Sequence, residues 1–118
     1  MNPALNDFLS RVRAGSTDFE DSIAFIKEHY DYTPTAFDNG LGEGAVHNAA
    51  GQNEGSCRIF AFAQLNQLSP ADTLALFGRF YRVDVLQHPD GTDHGNIRNF
   101  IRHGWAGVRF TGEALKAR

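Results

Sequence analysis

Residues 50–60, AGQNEGSCRIF, combine two glycines, a polar run and the only cysteine of the chain directly before an apolar segment. If a helix begins near Ser56, Cys57 lies in its first turn, where free backbone N–H groups and the helix dipole favour the nucleophilic thiolate. The alternative is that Cys57 is a small buried hydrophobe, because it shares a helical face with Phe60 and Leu65.

Nucleophilic catalysis by Cys57 needs a base and a group that orients this base. His88 or His94 can supply the base, and Asp93 or Asn96 can orient it. No sequence signature connects these residues to Cys57, so a Cys–His hydrolase or transferase is one hypothesis among several.

A second cluster is a mixture of carboxylates and imidazoles within eleven residues. It comprises Asp84, His88, Asp90, Asp93 and His94. Such nitrogen and oxygen ligands suit zinc or another divalent transition metal. The spacing matches no defined metal motif, and each residue also has an ordinary structural role, such as Asp93 capping the next helix.

The third candidate is the polar loop GQNEG, whose glycines allow a close approach of the backbone to a ligand. Gln52, Asn53 and Glu54 add hydrogen-bond donors and acceptors, and the start of the following helix can attract an anion. The loop has no phosphate-binding motif, and Glu54 would repel a phosphate. The alternative is a loop whose side chains satisfy only their own backbone.

The composition is typical of one globular domain over residues 1–118. Hydrophobic residues make up 42% of the chain, and a single cysteine excludes an internal disulfide, which favours the reducing cytoplasm. No segment is long and apolar enough for a membrane span or a signal peptide. The net charge of −3, without a dense basic face, argues against a nucleic-acid partner.

Helical periodicity and capping signals divide the chain into about five helices. The predicted starts are Asn2 with Pro3, a Thr17–Glu20 capping box, Ser56, Ser69 with Pro70, and Thr92 or Asp93. The fourth helix is expected to continue to about Gln87, and Gly104 to end the last one. The glycine-rich segment 38–55 has no clear period, and residues near Phe37, Val46 and Val108 can form a small antiparallel sheet.

Several long motifs resemble one protein family: YDYTPTAF, AGQNEGSCRIFAFAQL, TLALFGRFYRVDVLQHPDGTDHGNIRNF and a later GW. Together they are similar to the HopJ type III effector family over about residues 5–115. The resemblance implies a mainly helical single domain, and its label implies delivery through a type III secretion system. It supplies no catalytic residues. Within the matched region, Gly95 stands where a better helix former is expected.

We therefore expect a mainly α-helical domain with a small antiparallel sheet. The leading hypothesis is a cytoplasmic, non-enzymatic protein that binds an unknown protein or small molecule and has neither a cofactor nor a bound metal. Its polar pocket is expected where GQNEGSC meets HPDGTDH. The predicted binding residues are Gln52, Asn53, Glu54, His88, Asp93 and His94.

Overall fold

Helix α3, Glu54–Leu65, lies at the centre of the molecule in a computed structural model that describes residues 3–118. Its side chains are buried on most sides, and the Phe60 ring contacts those of Phe37, Phe77 and Phe100. The other helical elements are α1 (Pro3–Arg13), α2 (Phe19–His29), α4 (Pro70–Ala75), a π-helical segment (Phe80–Val85) and α5 (Gly95–His103). None of the described helices is long and apolar enough to cross a membrane.

The glycine-rich segment is partly paired into a three-stranded antiparallel sheet, as predicted. Its strands are β2 (Phe37–Asn39), β3 (Val46–Asn48) and β4 (Arg109–Phe110), in the order β3–β2–β4. Phe37 pairs with Asn48 on one side and with Phe110 on the other. A second antiparallel pair, β1 (Tyr30–Tyr32) with β5 (Leu115–Ala117), was not anticipated. The mainly helical fold with a small sheet is confirmed.

The first two helices form where apolar periodicity predicts them, but one capping assignment is wrong. Helix α2 begins with a capping box of Asp18 and Asp21 rather than Thr17 and Glu20. The Asp18 carboxylate accepts hydrogen bonds from the N–H groups of Phe19 and, across the fold, of Arg79. The Asn2 cap proposed for α1 lies outside the described residues.

The long fourth helix predicted from Ser69 to about Gln87 is interrupted. Ser69 caps α4 as expected, but α4 ends at Ala75, and Gly78 has a left-handed φ of 59°. A Cβ at Gly78 would collide with the Asp18 carboxylate. The break therefore has a tertiary cause, since this turn packs directly against the start of α2.

Helices α3 and α5 both begin at positions other than those predicted. Helix α3 begins at Glu54, two residues before Ser56, and α5 begins at Gly95 after His94 rather than after Thr92 or Asp93. Both residues that precede these helices, Asn53 and His94, have left-handed backbone conformations. The first turns of the two helices line the same cavity.

Candidate functional site

A cavity of about 360 Å³ lies between the first turns of α3 and α5. Asn53, Gly55 and Ser56 line it from α3, and His94 to Ile97 line it from α5. The remaining wall is apolar, with the side chains of Val46, Phe19, Phe77 and Phe80. The cavity thus has a polar end, formed by two helix starts, and an end with three aromatic rings.

Both helix starts leave their first-turn N–H groups unpaired. Asn53 has φ 49° and ψ 48°, His94 has φ 51° and ψ 50°, and neither side chain caps its helix. The first backbone bonds run from Cys57 N–H to the Asn53 carbonyl and from Arg98 N–H to the His94 carbonyl. Within residues 3–118, the N–H groups of 54–56 and 95–97 therefore have no protein acceptor.

Asn53, which does not cap α3, belongs to a network of asparagine side chains. Asn53 Nδ2 donates to Asn48 Oδ1 at 2.7 Å, and Asn96 Nδ2 donates to the same oxygen at 3.0 Å. Asn48 Nδ2 returns a bond to Asn96 Oδ1 at 3.2 Å, while Asn39 Nδ2 donates to the Asn96 carbonyl at 2.7 Å. Strand β3 thereby fastens the two helix starts to each other through side-chain amides, of which those of Asn48 and Asn96 are buried.

Sequence reasoning missed Asn39 and Asn48 and considered Asn96 only as a partner of a catalytic histidine. Asparagine is unfavourable in strands and is rarely buried. The available signal was therefore an asparagine two residues after Phe37 and another two residues after Val46, in the segments where short strands were expected. Asn99 extends the network by donating to the carbonyls of Asn39 and Gly44 at 3.0 and 2.8 Å.

His94 lines the cavity and also contacts two carboxylates that are not part of the cavity lining. Its Nε2 lies 3.0 Å from Asp84 Oδ2 and 3.9 Å from Asp93 Oδ2. The imidazole stacks on Phe80 with ring centroids 5.1 Å apart. Arg98 Nη2 donates to Asp93 Oδ1 at 2.7 Å, and this hydrogen bond lowers the pKa of Asp93.

The predicted site residues are only partly brought together. Asn53 and His94 line the cavity, and Asp93 lies beside His94. Gln52 instead accepts a hydrogen bond from the Ala49 N–H, and Glu54 lies 4.0 Å from its helix neighbour Arg58. His88 is exposed and does not line the cavity. That any of these residues binds a ligand stays a prediction.

Cys57 lies in the core rather than at the cavity surface. Its side chain is 1% exposed, and Sγ lies 3.5 Å from the Thr35 carbonyl oxygen, to which it donates. Burial raises the pKa of the thiol, and no histidine hydrogen-bonds to it within residues 3–118. This geometry favours the buried hydrophobe over a Cys–His nucleophile.

Only three of the five residues considered as metal ligands lie close together. Asp84, Asp93 and His94 place one ligand atom each within 4.8 Å of one another. His88 and Asp90 are not part of that group.

Comparison with known proteins gives a family and one close structural relative. The family model described as HopJ type III effector protein matches residues 5–115. The crystal structure of VPA0580, a protein described as of unknown function, superimposes with a TM-score of 0.90 at 48% sequence identity. That match covers 100% of this chain and 97% of the other. No curated protein matches the chain.

Proposed function

The chain belongs to the HopJ type III effector protein family, and we propose that it binds a small organic anion in the cavity between α3 and α5. The negative group, a carboxylate or a phosphate, lies at the two helix starts. The apolar body of the same molecule lies against the aromatic wall. The observation that carries the proposal is the convergence of two uncapped helix starts on one cavity.

The polar end of the cavity supports an anion because it concentrates hydrogen-bond donors. Each helix start offers three N–H groups that have no acceptor among the described residues 3–118, and each carries the positive end of a helix dipole. Anionic groups are commonly held in this way at a single helix N-terminus. Here two such ends face the same space, and the Ser56 hydroxyl lies on its wall.

Carboxylates near the cavity are paired with positive or proton-donating groups. Asp93 is bound by Arg98, and Asp84 is within hydrogen-bonding distance of His94. Glu54 lies beside Arg58. These partners reduce the repulsion that a bound anion would meet, so the N–H groups dominate the local field.

The apolar end supports an organic rather than an inorganic anion. The Phe19 and Phe80 rings lie 5.0 Å apart, and Phe77, Val46 and Ile97 complete the wall. A volume of about 360 Å³ falls in the range of pockets that bury small organic ligands. A molecule the size of a substituted benzoate or phenyl phosphate uses both ends.

Gly95 provides a test in which folding and binding move in opposite directions. A Cβ there would lie 3.7 Å from Val46 Cγ2, which is ordinary contact, and Gly95 has no positive φ. Gly95→Asp places a carboxylate at the first turn of α5, where it complements the dipole and competes for the same N–H groups. Gly95→Ala is the matched control.

Benzoate and phenyl phosphate are the probes, with benzamide as the neutral analogue and inorganic phosphate as the anion without an apolar body. Titrations followed by ¹H–¹⁵N NMR are expected to shift the amide signals of 54–56 and 95–97. We expect Gly95→Ala to retain binding and Gly95→Asp to lose at least tenfold in affinity while its melting temperature stays level or rises. Equal binding of benzamide, or unchanged binding to Gly95→Asp, would contradict the proposal.

A further inference from the structure

Beyond the anion cavity, we propose that Asp84, Asp93 and His94 form a binding site for a divalent transition metal such as Mn²⁺ or Zn²⁺, next to the cavity that His94 lines. The site uses one imidazole nitrogen and two carboxylate oxygens, a donor set that suits these ions. This inference does not depend on the anion. The metal would be held by three side chains, whereas the anion would be held by backbone N–H groups of the two helix starts.

The distances among the ligand atoms fit a metal with open coordination positions. With metal–ligand bonds of about 2.1 Å, adjacent octahedral ligands lie about 3.0 Å apart and opposite ones about 4.2 Å apart. His94 Nε2 lies 3.0 Å from Asp84 Oδ2 and 3.9 Å from Asp93 Oδ2. Small rotations of exposed carboxylates therefore bring all three atoms to one ion.

Hydrogen bonding alone does not account for the arrangement of these groups. A single imidazole N–H can donate to Asp84, but at 3.9 Å it is too far from Asp93 Oδ2 to satisfy that oxygen as well. Within residues 3–118, the other contact of the Asp93 carboxylate is through Oδ1, with Arg98. Two carboxylate oxygens thus face one ring nitrogen, an arrangement that a single divalent cation can bridge.

Neighbouring residues contact two of these ligands through groups other than the proposed metal-binding atoms. Arg98 fixes the Asp93 carboxylate by Oδ1, which leaves Oδ2 turned towards His94, and Phe80 stacks on the imidazole. Such outer contacts orient metal ligands and set their affinity. Phe80 and Asp84 both belong to the π-helical segment, and short π-helical segments occur frequently at functional sites.

The test measures metal binding in chelator-treated protein without any organic anion, so that its failure leaves the anion proposal intact. Calorimetric titration with MnCl₂ and ZnCl₂ compares wild type with Asp84→Asn and Asp93→Asn, which keep size and remove charge. Asp90→Asn is the matched control, since Asp90 is exposed in the same loop and is not part of the cluster. We expect Asp84→Asn and Asp93→Asn each to weaken binding at least tenfold and Asp90→Asn to leave it unchanged.

Paramagnetic NMR gives a second readout that does not require a change in folding. Sub-stoichiometric Mn²⁺ is expected to broaden the amide signals of Asp84 and of 93–95 first. Broadening centred on His47, His88 or His103 would overturn the assignment. So would equal affinities of the Asp84→Asn and Asp90→Asn variants, or the absence of binding at millimolar metal.

Discussion

Arg98 fastens the loop before α5 to the end of the π-helical segment, and replacing it gives a sharp test of how this loop is held. Its side chain is 10% exposed. Nε donates to the Asp93 carbonyl at 2.6 Å, and Nη1 donates to the His88 carbonyl at 2.9 Å. Longer bonds reach the carbonyls of Pro89 and Asp84 at 3.4 and 3.3 Å. One guanidinium thus connects the end of the π-helical segment to the residue before His94.

Arg98→Met keeps most of the aliphatic stem and removes every one of these donors. The ion pair with Asp93 is left out of the estimate because that carboxylate is exposed and screened by solvent. The two short bonds to carbonyl groups are each worth about 1 kcal/mol, since water can reach the freed oxygens. We therefore expect a loss of about 2 kcal/mol in the free energy of unfolding, or about 8 °C in melting temperature.

Urea denaturation followed by the fluorescence of Trp105 measures the effect. Arg102→Met is the matched control, because Arg102 lies one turn further along α5, is exposed and has no ion pair or side-chain hydrogen bond in residues 3–118. It is expected to change stability by less than about 0.5 kcal/mol. If Arg98→Met and Arg102→Met agree within that margin, the view that Arg98 fastens this loop is wrong.

Two further outcomes concern single groups elsewhere in the fold. Because Cys57 is buried and its pKa is raised, iodoacetamide at neutral pH is expected to label the native protein far more slowly than the urea-unfolded chain; equal rates would contradict a core location. Hydrogen bonds from the N–H groups of Arg79 and Phe19 lower the pKa of Asp18 to about 2. The unfolded chain therefore binds this proton more tightly, and the stabilisation is present above about pH 4 and is lost as the pH falls towards 2. Melting temperatures between pH 2 and 6 should fall less steeply on acidification for Asp18→Asn than for wild type; parallel curves would contradict the assignment.

Local signals in the sequence were sufficient for most helices because their causes are local. Apolar periodicity and the Ser69–Pro70 start correctly predicted α1, α2 and the beginning of α4. The interruption at Gly78 was not predictable in this way, because its cause is the close approach of Asp18, sixty residues earlier in the chain. A pattern within one segment carries no information about such a contact.

The distinction between local and long-range causes also explains how much of the candidate site could be predicted. Polar, turn-rich sequence before two helices indicated the segments that contain Asn53 and His94, and both residues line one cavity. Their left-handed conformations were not predicted, because asparagine before a helix ordinarily indicates a side-chain cap. The Asn53 side chain instead donates from Nδ2 to Oδ1 of Asn48, a residue of a short strand, and that pairing depends on the fold as a whole.

The two helix starts are less stable than they would be with side-chain caps. A side-chain cap at each would contribute about 1 kcal/mol, and glycine at the first position of α5 is a poorer choice than alanine or aspartate. The loss is offset by the aromatic core around α3, in which Phe60 and Phe62 are fully buried. Binding sites often reduce the stability of the fold locally, and a rigid scaffold around them compensates for this loss. An uncapped polar cavity beside a well-packed central helix fits that pattern. Capping α5 through Gly95→Asp should therefore recover stability only by occupying the N–H groups that the proposed anion would use.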